Sequence, residues 1–400
     1  MQQTSAATDS APAPSPFEGL VVVELGHSVA APFAGQIFGE LGATVIKVEK
    51  HEGDAARSWG PPFQDGAATM FQALNRNKQS VVCDLRDAEQ TDALKRLIVE
   101  RADIVLQNLR PGQVETLGLD GPTLLDLKPS LIYCNMGAFG HAGPLCHRPG
   151  YDPLMQAFGG IMSTTGEAGR PSVRVGASIV DMGTGMWAVI GILAALWQRQ
   201  TTGQGRVVDV SLFETATSWV SLIASQVLVS GKAPTRHGSG TESIVPYKGY
   251  VTADGEIVVA AGSESLFRSL ARTVGHPEWI EDPRFADNPS RVHHQAALYG
   301  MLDEIFAKHP THYWLERLEA AGLPCSPVHD MNQMLGHPQT EALGLVQRVP
   351  GTEMNFIGLP LSFDGLRPQP RFRPPGLGEH TEQLLGQSSS CRTGSTEIPT

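Results

Sequence analysis

The feature that most constrains this chain's fold is an alternation between residues 20 and 137. Short apolar runs recur there: LVVVEL (20–25), TVIKVEK (44–50), SVVCDL (80–85), DIVLQNL (103–109) and LIYCNMG (131–137). Segments of helical texture separate several of them, APFAGQIFGELG (31–42) and AEQTDALKRLIVERA (88–102) among them. Two antiparallel strands need only a tight turn, whereas a helix-length crossover brings the chain back to start a parallel strand. The pattern therefore predicts an α/β fold, a parallel sheet with helices on its faces. In such sheets ligands bind beyond the strand ends. The first strand-to-helix turn, ELGHSVAAPFAG, lacks the glycine pattern GxGxxG. Glu49 closes the second strand where a ribose-binding acid can sit, but without those glycines dinucleotide binding is not supported.

At 400 residues the chain is too long for one compact core, and two domains are expected. A long apolar helix is expected over about 182–199, opened by Asp181. A turn, a short strand and another helix follow in QTTGQGRVVDVSLFE. Near residue 230 the texture changes. IVPYKGYVTADGEIVVAAG reads as a hairpin with Asp254-Gly255 at its turn, and helical segments follow at 264–274, 292–307 and 311–321. From Val328 the chain reads as α/β again. The expected organisation is a discontinuous large domain, 17–230 and 329–386, interrupted by a small α+β domain at 231–328. Residues 1–16 and 387–400 read as disordered tails. The first of these has neither the basic nor the apolar region of a secretory signal. The apolar stretch 186–197 is short for a membrane span, so neither a membrane nor a secretory route is expected, and the reading is a cytoplasmic protein.

The five Cys are odd in number and form no CxxC, which argues against a disulfide framework or a zinc site. The 13 His show no metal-ligand spacing, and no metal site is expected. A net charge of −11 speaks against nucleic-acid binding, but a local basic pocket still suits a small anion. Of Lys47, Lys50, Arg57, Arg76, Lys78, Arg86, Arg110 and Arg148, many lie at expected strand ends, and as a set they are candidates for holding phosphates. A solvated face is the plain alternative for any one of them. His27, in the first loop, is the histidine nearest such a site. No GxSxG occurs, so a hydrolase serine is unsupported.

Asp181 stands at the mouth of the apolar helix in VGASIVDMGTGM. An acid just before a helix is most simply an N-cap. Free N–H groups at a helix start also favour a carboxylate anion, which in a dry site can act as a nucleophile.

Several segments carry a resemblance. PFEGLVVVELGHSVAAPFAGQIFGELGATVIKVEK, NRNKQSVVCDLR, GYDPLMQAFGGIMSTTGE, VDMGTGMWAVIGILAAL, EDPRFADNPSR, AAGLPCSPV and LGEHTEQLL, in that order between about residues 17 and 386, resemble the family III CoA-transferases of the CaiB/BaiF type. The resemblance implies a Rossmann-like large domain, a small domain and an interlocked homodimer. It places the family nucleophile at Asp181. Toward coenzyme A it carries over His27, Val29 and Ala30 in the first loop, Lys50 after the second strand, and the segment Cys83, Asp84, Leu85 and Arg86. It adds Asn108 and Leu109 at the next strand end, then Tyr151 and Asp152. Arg110 and Arg148 join this group from the basic set. Gly238, Ser239 and Gly240, in HGSGTES, match a shortened glycine-rich lid. Asp209 also matches a family motif and reads as structural.

Formyl-CoA transferases carry Gln where this chain has Val29 and Arg where it has Thr116, so oxalate or formate specificity does not carry over. The related α-methylacyl-CoA racemases pair the Asp with a His in a GHD motif. Here the motif is GYD, and the phenol of Tyr151 is a poor base near neutrality. The implied reaction moves CoA from an acyl-CoA, succinyl-CoA being one candidate donor, to a free carboxylic acid. It passes through an aspartyl mixed anhydride and an aspartyl-CoA thioester. Acyl-CoA and the acid are the partners, and no tightly bound cofactor is expected. The oxyanion donors are sought near Gly183 or in the loop at 238–240. A racemase-like isomerase and a non-catalytic CoA-binding paralogue are the alternatives.

Overall fold

The structure, a computed structural model, describes residues 15–386, so the expected tails lie outside it except for Ser15 and Pro16. It divides into two compact units. One comprises the residues up to Gly159, Ala177–Ser218 and those from Glu341 on; the other comprises Gly160–Gly176 and Trp219–Thr340. The crossings thus fall at Trp219 and Thr340 rather than at 231 and 328, and a separate stretch before the apolar helix belongs to the second unit.

The first unit is built on six parallel strands: β1 (Val21–Leu25), β2 (Thr44–Glu49), β3 (Lys78–Val82), β4 (Ile104–Gln107), β5 (Ile132–Gly137) and β6 (Arg206–Ser211). Their order across the sheet is β3-β2-β1-β4-β5-β6, the doubly wound Rossmann order. All four residues of β4 are buried, as are four of the five in β1. Covered on both faces, such strands read as continuous apolar runs rather than alternating ones, which is why they stand out in the sequence. At the β3 edge, Thr381 Oγ1 accepts from Val82 N at 2.9 Å, and Phe372 O accepts from Asn77 N at 3.1 Å. The C-terminal segment thereby covers an open sheet edge. Residues 341–386 contribute this cover and a two-stranded ribbon, Val346–Arg348 with Asn355–Ile357, instead of a renewed α/β pattern.

Three helices matter for the site. Helix α1 (Ala30–Glu40) is buried along all eleven residues. A helix buried all round must be small where neighbours cross it, and α1 is rich in Ala and Gly. Helix α2 (Asp152–Phe158) is short. Helix α3 (Ile179–Thr202) has 24 residues, three more at its start than the sequence suggests. By length and apolarity α3 is long enough to cross a bilayer. It packs on α1, β5 and β6, and its buried face includes Val180, Gly183, Thr184, Gly185, Ala188 and Ile192. A Cβ on Gly185 would sit 2.8 Å from Ala30 O, so glycine sets the close crossing of α3 over α1.

The second unit carries an antiparallel sheet of Tyr247–Val251, Glu256–Ala260 and Cys325–Pro327. The hairpin turns at Thr252–Gly255, where Thr252 N donates to Gly255 O at 2.9 Å. Helices Glu264–Thr273, Gln295–Phe306 and Thr311–Ala320 pack over it around Tyr250, Phe267, Phe306 and Trp314. The expected helix at 292–307 is broken at His294, with Asn288–His293 before it.

Candidate active site

The order of the sheet puts a switch point between β1 and β4, where the crossovers leave in opposite directions and a crevice opens. The loop after β1 and the loop after β4 meet there. His27 N donates to Asn108 Oδ1 at 3.0 Å, and Asn108 Nδ2 donates to His27 O at 2.9 Å. Asn108 thus clamps the first loop. A ladder of side chains continues along this end of the sheet. Leu109 N donates to Gln107 Oε1, Gln107 Nε2 to Asn135 Oδ1, and Asn135 Nδ2 to Asp209 Oδ1, at 2.9, 2.6 and 2.8 Å. Asp209 ends this ladder.

Below the first loop lies a buried ionic cluster. Lys47 Nζ reaches Glu24 Oε1 at 2.9 Å, Asp54 Oδ2 at 2.9 Å and Gly26 O at 2.8 Å. Lys78 Nζ reaches the other Glu24 oxygen at 2.7 Å, with Pro32 O and Asn75 Oδ1. Burial works against the Lys47 ammonium, but Glu24, Asp54 and Glu49 outweigh it and hold the group above the ordinary lysine range. Ser28 adopts φ +69°, a left-handed conformation that costs a non-glycine residue about 1 kcal/mol. Its N–H reaches both oxygens of Asp54 at 3.2 Å. The cluster therefore fixes the path of residues 26–28 from below. Gly35 leaves it room, since a Cβ there would fall 2.1 Å from Glu24 Oε2.

These pairings correct the reading of the basic residues as a phosphate-binding set. Lys47 and Lys78 are fully committed, Arg76 is buried against Glu40, and Arg57 makes two bonds of 2.7 Å to Glu49. Lys50 and Arg86 remain exposed, at 67% and 87% of their side chains, and Arg110 and Arg148 are exposed too. Arg86 is not a lone cation. It bonds Asp84 at 2.9 Å and holds that carboxyl down, to about 2.

A cleft of about 550 Å³ opens above this loop. His27 and Lys50 line it, with Cys83 to Arg86, Leu109 and Tyr151. The other expected contacts stand elsewhere. Val29 and Ala30 are buried at the start of α1. Asn108 braces the loop, Arg110 and Arg148 are off the cleft wall, and Asp152 is buried. His51, Trp59 and Gln113 also line the cleft, and the sequence reading missed them. The His27 ring is exposed, yet desolvation in the cleft lowers its pKa; Asp54 opposes this while Lys47, Lys50 and Arg110 add to it. Burial, with Asp84 and Asp87, pushes the Cys83 thiol up to about 12, which removes it as a nucleophile.

Asp181 does not cap α3. It lies in the first turn, and the N-cap position is Ser178, whose side chain makes no capping bond. The carboxylate of Asp152 takes that place from outside, accepting Val180 N at 2.8 Å and Asp181 N at 3.2 Å. The expectation that the helix start keeps Asp181 ionised fails for this reason: Asp152 already occupies those N–H groups. Burial, and then the Asp152 charge, push the Asp181 carboxyl up to about 7. Among the described residues no cation forms an ion pair with it. Gly183 lies inside α3, where its N–H belongs to the helical ladder rather than to an oxyanion. In the second unit, Gly238 N and Gly240 N donate to Gly166 O and His237 O, and Ser239 Oγ accepts from Gly249 N, each at 2.9 Å.

A sequence model of CoA-transferase family III matches residues 17–381. The chain belongs to that family. Succinyl-CoA:glutarate CoA-transferase of Homo sapiens is 34% identical over 92% of this chain and 85% of the relative. Acetyl-CoA:oxalate CoA-transferase of Acetobacter aceti is 35% identical over 94% and 97%. The crystal structure of a CaiB/BaiF family protein from Brucella suis superposes with a TM-score of 0.84 at 37% identity, covering 93% of this chain and 98% of that one. This family III chain shares the mixed α/β fold of its structural neighbour. Its family acts on CoA thioesters. Tyr151 lines the cleft and Asp152 caps α3, so one dipeptide joins the cleft wall to the helix turn that carries Asp181.

Proposed function

We propose that this chain transfers CoA from an acyl-CoA to a free carboxylic acid, with Asp181 as the covalent nucleophile. One observation carries the reading: Asp181 stands partly buried beside the buried Asp152 carboxylate, and among the described residues no cation pairs with it, an arrangement that raises its pKa and is expected at a reacting group and costly elsewhere. In the first step an Asp181 oxygen bonds the thioester carbonyl carbon and the C–S bond breaks, giving a mixed anhydride and CoA thiolate. The thiolate attacks the Asp181 carbonyl and expels the donor acid, leaving an aspartyl-CoA thioester. The acceptor carboxylate attacks that thioester and releases the thiolate again. The thiolate then takes the acceptor acyl group and restores the Asp181 carboxylate. An anhydride survives only away from water, which gives a chemical reason for the apolar surroundings.

Cleft residues Lys50 and Arg86 are proposed phosphate contacts. Lys50→Ala and Arg86→Ala are each expected to weaken CoA binding about 2–5-fold, the size of a solvent-exposed ion pair, and to flatten its salt dependence. Titration calorimetry at two ionic strengths measures both; unchanged affinity in the two variants places the phosphates elsewhere.

The donor named in several relatives, succinyl-CoA, supports a dicarboxylate donor acid here. Incubation with succinyl-CoA and a panel of carboxylic acids tests the reading. New CoA esters support transfer, exchange at the α-carbon supports the racemase, and neither product supports a binding paralogue.

An interlocked homodimer completes the proposal. In the first unit α3 exposes Trp187, Ile190, Leu193 and Trp197, and in the second the apolar helix Ser221–Ser230 has no buried residue. Apolar surface on this scale marks an interaction face, and the family's homodimer supplies a second copy to cover it. Light scattering is expected to give twice the chain's mass at micromolar concentration; a folded monomer contradicts this. Nothing in this reading requires a membrane, nucleic acid or compartment other than the cytoplasm.

A further inference from the structure

We propose that Asp152 is the positioning residue for Asp181: its buried carboxylate closes the first turn of α3 and sets the charge environment of the Asp181 carboxyl. The inference rests on Asp181 as the reacting group. Asp152 is 2% exposed. One oxygen accepts Gln156 Nε2 at 2.6 Å, and the other accepts the N–H groups of Val180 and Asp181. No cation among the described residues pairs with it. The cap for α3 thus comes from another helix, α2, although Ser178 stands at the N-cap position with a hydroxyl that does not serve.

A neutral amide would also cap this helix, since Asn and Asp cap about equally well. Its oxygen accepts the same N–H groups. Fold alone therefore does not require the charge, and burying an unpaired carboxylate costs several kcal/mol before its hydrogen bonds are counted. What the charge does supply is a like-charged neighbour for Asp181. It disfavours the Asp181 anion, so the anion that forms is more basic and more reactive toward a thioester carbonyl.

The other elements against α3 do not substitute. Helix α1 carries Glu40, bound to Arg76. Strand β5 carries Tyr133, whose hydroxyl donates to Leu119 O, and Cys134. Strand β6 carries Arg206 and Asp209, the latter held by Asn135. On α3 itself, Arg199 pairs with Asp103. Among the described residues Asp152 is the charged group whose carboxylate touches the Asp181 backbone, and its charge adds to burial in raising the Asp181 pKa.

Asp152→Asn tests this in the full-length enzyme, with the pH profile of kcat/KM and the Kd for CoA as readouts. The expected result is a folded variant with unchanged Kd whose acid limb moves to lower pH by about half a unit or more, and whose plateau rate falls. An acid limb that stays at its wild-type pH overturns the proposal, because a merely structural cap would not couple to it. If the Asn variant does not fold, Asp152→Glu keeps the charge on a longer arm. It is expected to hold the acid limb and lose kcat rather than CoA affinity; unchanged kcat overturns the proposal. The underlying reading fails separately: an active Asp181→Asn variant removes Asp181 as nucleophile, whereas an inactive one with an unmoved acid limb in Asp152→Asn removes only the role of Asp152.

Discussion

Asp181→Asn is expected to lose turnover by about 10³-fold or more, the scale on which enzymes lose rate when a covalent nucleophile is removed, and to become more stable. The two effects have one cause. Burial and Asp152 push the Asp181 carboxyl up to about 7, above its value in an unfolded chain. Folding therefore favours the protonated form, and the native state loses stability as pH rises from the unfolded pKa to the folded one. At pH 8 the wild type carries the full penalty of a desolvated anion beside another carboxylate. Asn carries none of it and is nearly the same shape. A gain of about 1 kcal/mol or more is expected at pH 8, shrinking toward pH 4. Thermal unfolding at the two pH values measures it. Asp181 makes no cap that Asn would need to replace, so the rate loss cannot be assigned to fraying of α3. Activity also follows the anion: wild-type kcat/KM is expected to fall below about pH 7. Asn must be checked for deamidation to Asp before any residual rate is read.

Lys47→Met is expected to be among the most damaging changes outside the reacting group. It removes the ammonium that joins Glu24, Asp54 and the carbonyl of Gly26, all buried. Breaking a buried pair by deleting one partner costs about 3–5 kcal/mol, because a carboxylate is left without compensation. Here two carboxylates lose a partner, although Lys78 still reaches Glu24. The loop at residues 26–28 loses its support from below, so CoA affinity should fall along with stability. Lys50→Met, three residues on, removes an exposed ammonium and should change stability by less than about 0.5 kcal/mol. Chemical denaturation of both variants measures the contrast. Equal stabilities would contradict the role given to the cluster.

The same cluster shows where the sequence stops being legible. The strands could be read because doubly covered parallel strands such as β1 and β4 are mostly apolar, and the helices between them because their lengths fit crossovers. Lys47, Lys78 and Arg76 read as free cations because spacing along the chain does not reveal that Glu24, on the neighbouring strand β1, meets the two lysines and that Glu40, at the end of α1, meets Arg76. The start of α3 was placed three residues late for a related reason: its cap is Asp152, in another helix, while the local sequence shows Asp181 as the obvious capping acid. Cys83 to Arg86 and Leu109, which the family resemblance carries over, line the cleft because they follow the ends of β3 and β4. Trp59 and His51 follow no motif and stand in irregular structure, where sequence patterns carry little signal. Asn108 and Asp152 matched family segments, but only the hydrogen bonds show that one braces a loop and the other a helix.

The central claim is that Asp181 becomes covalently bonded during turnover. Wild-type enzyme quenched while turning over an acyl-CoA that it uses, then digested and examined by mass spectrometry, tests it directly. The expected result is a CoA thioester on the peptide carrying Asp181, or a hydroxamate there when hydroxylamine is present in the quench. Unmodified Asp181 peptide from an enzyme sampled in mid-turnover, or an adduct on a different residue, would contradict the mechanism.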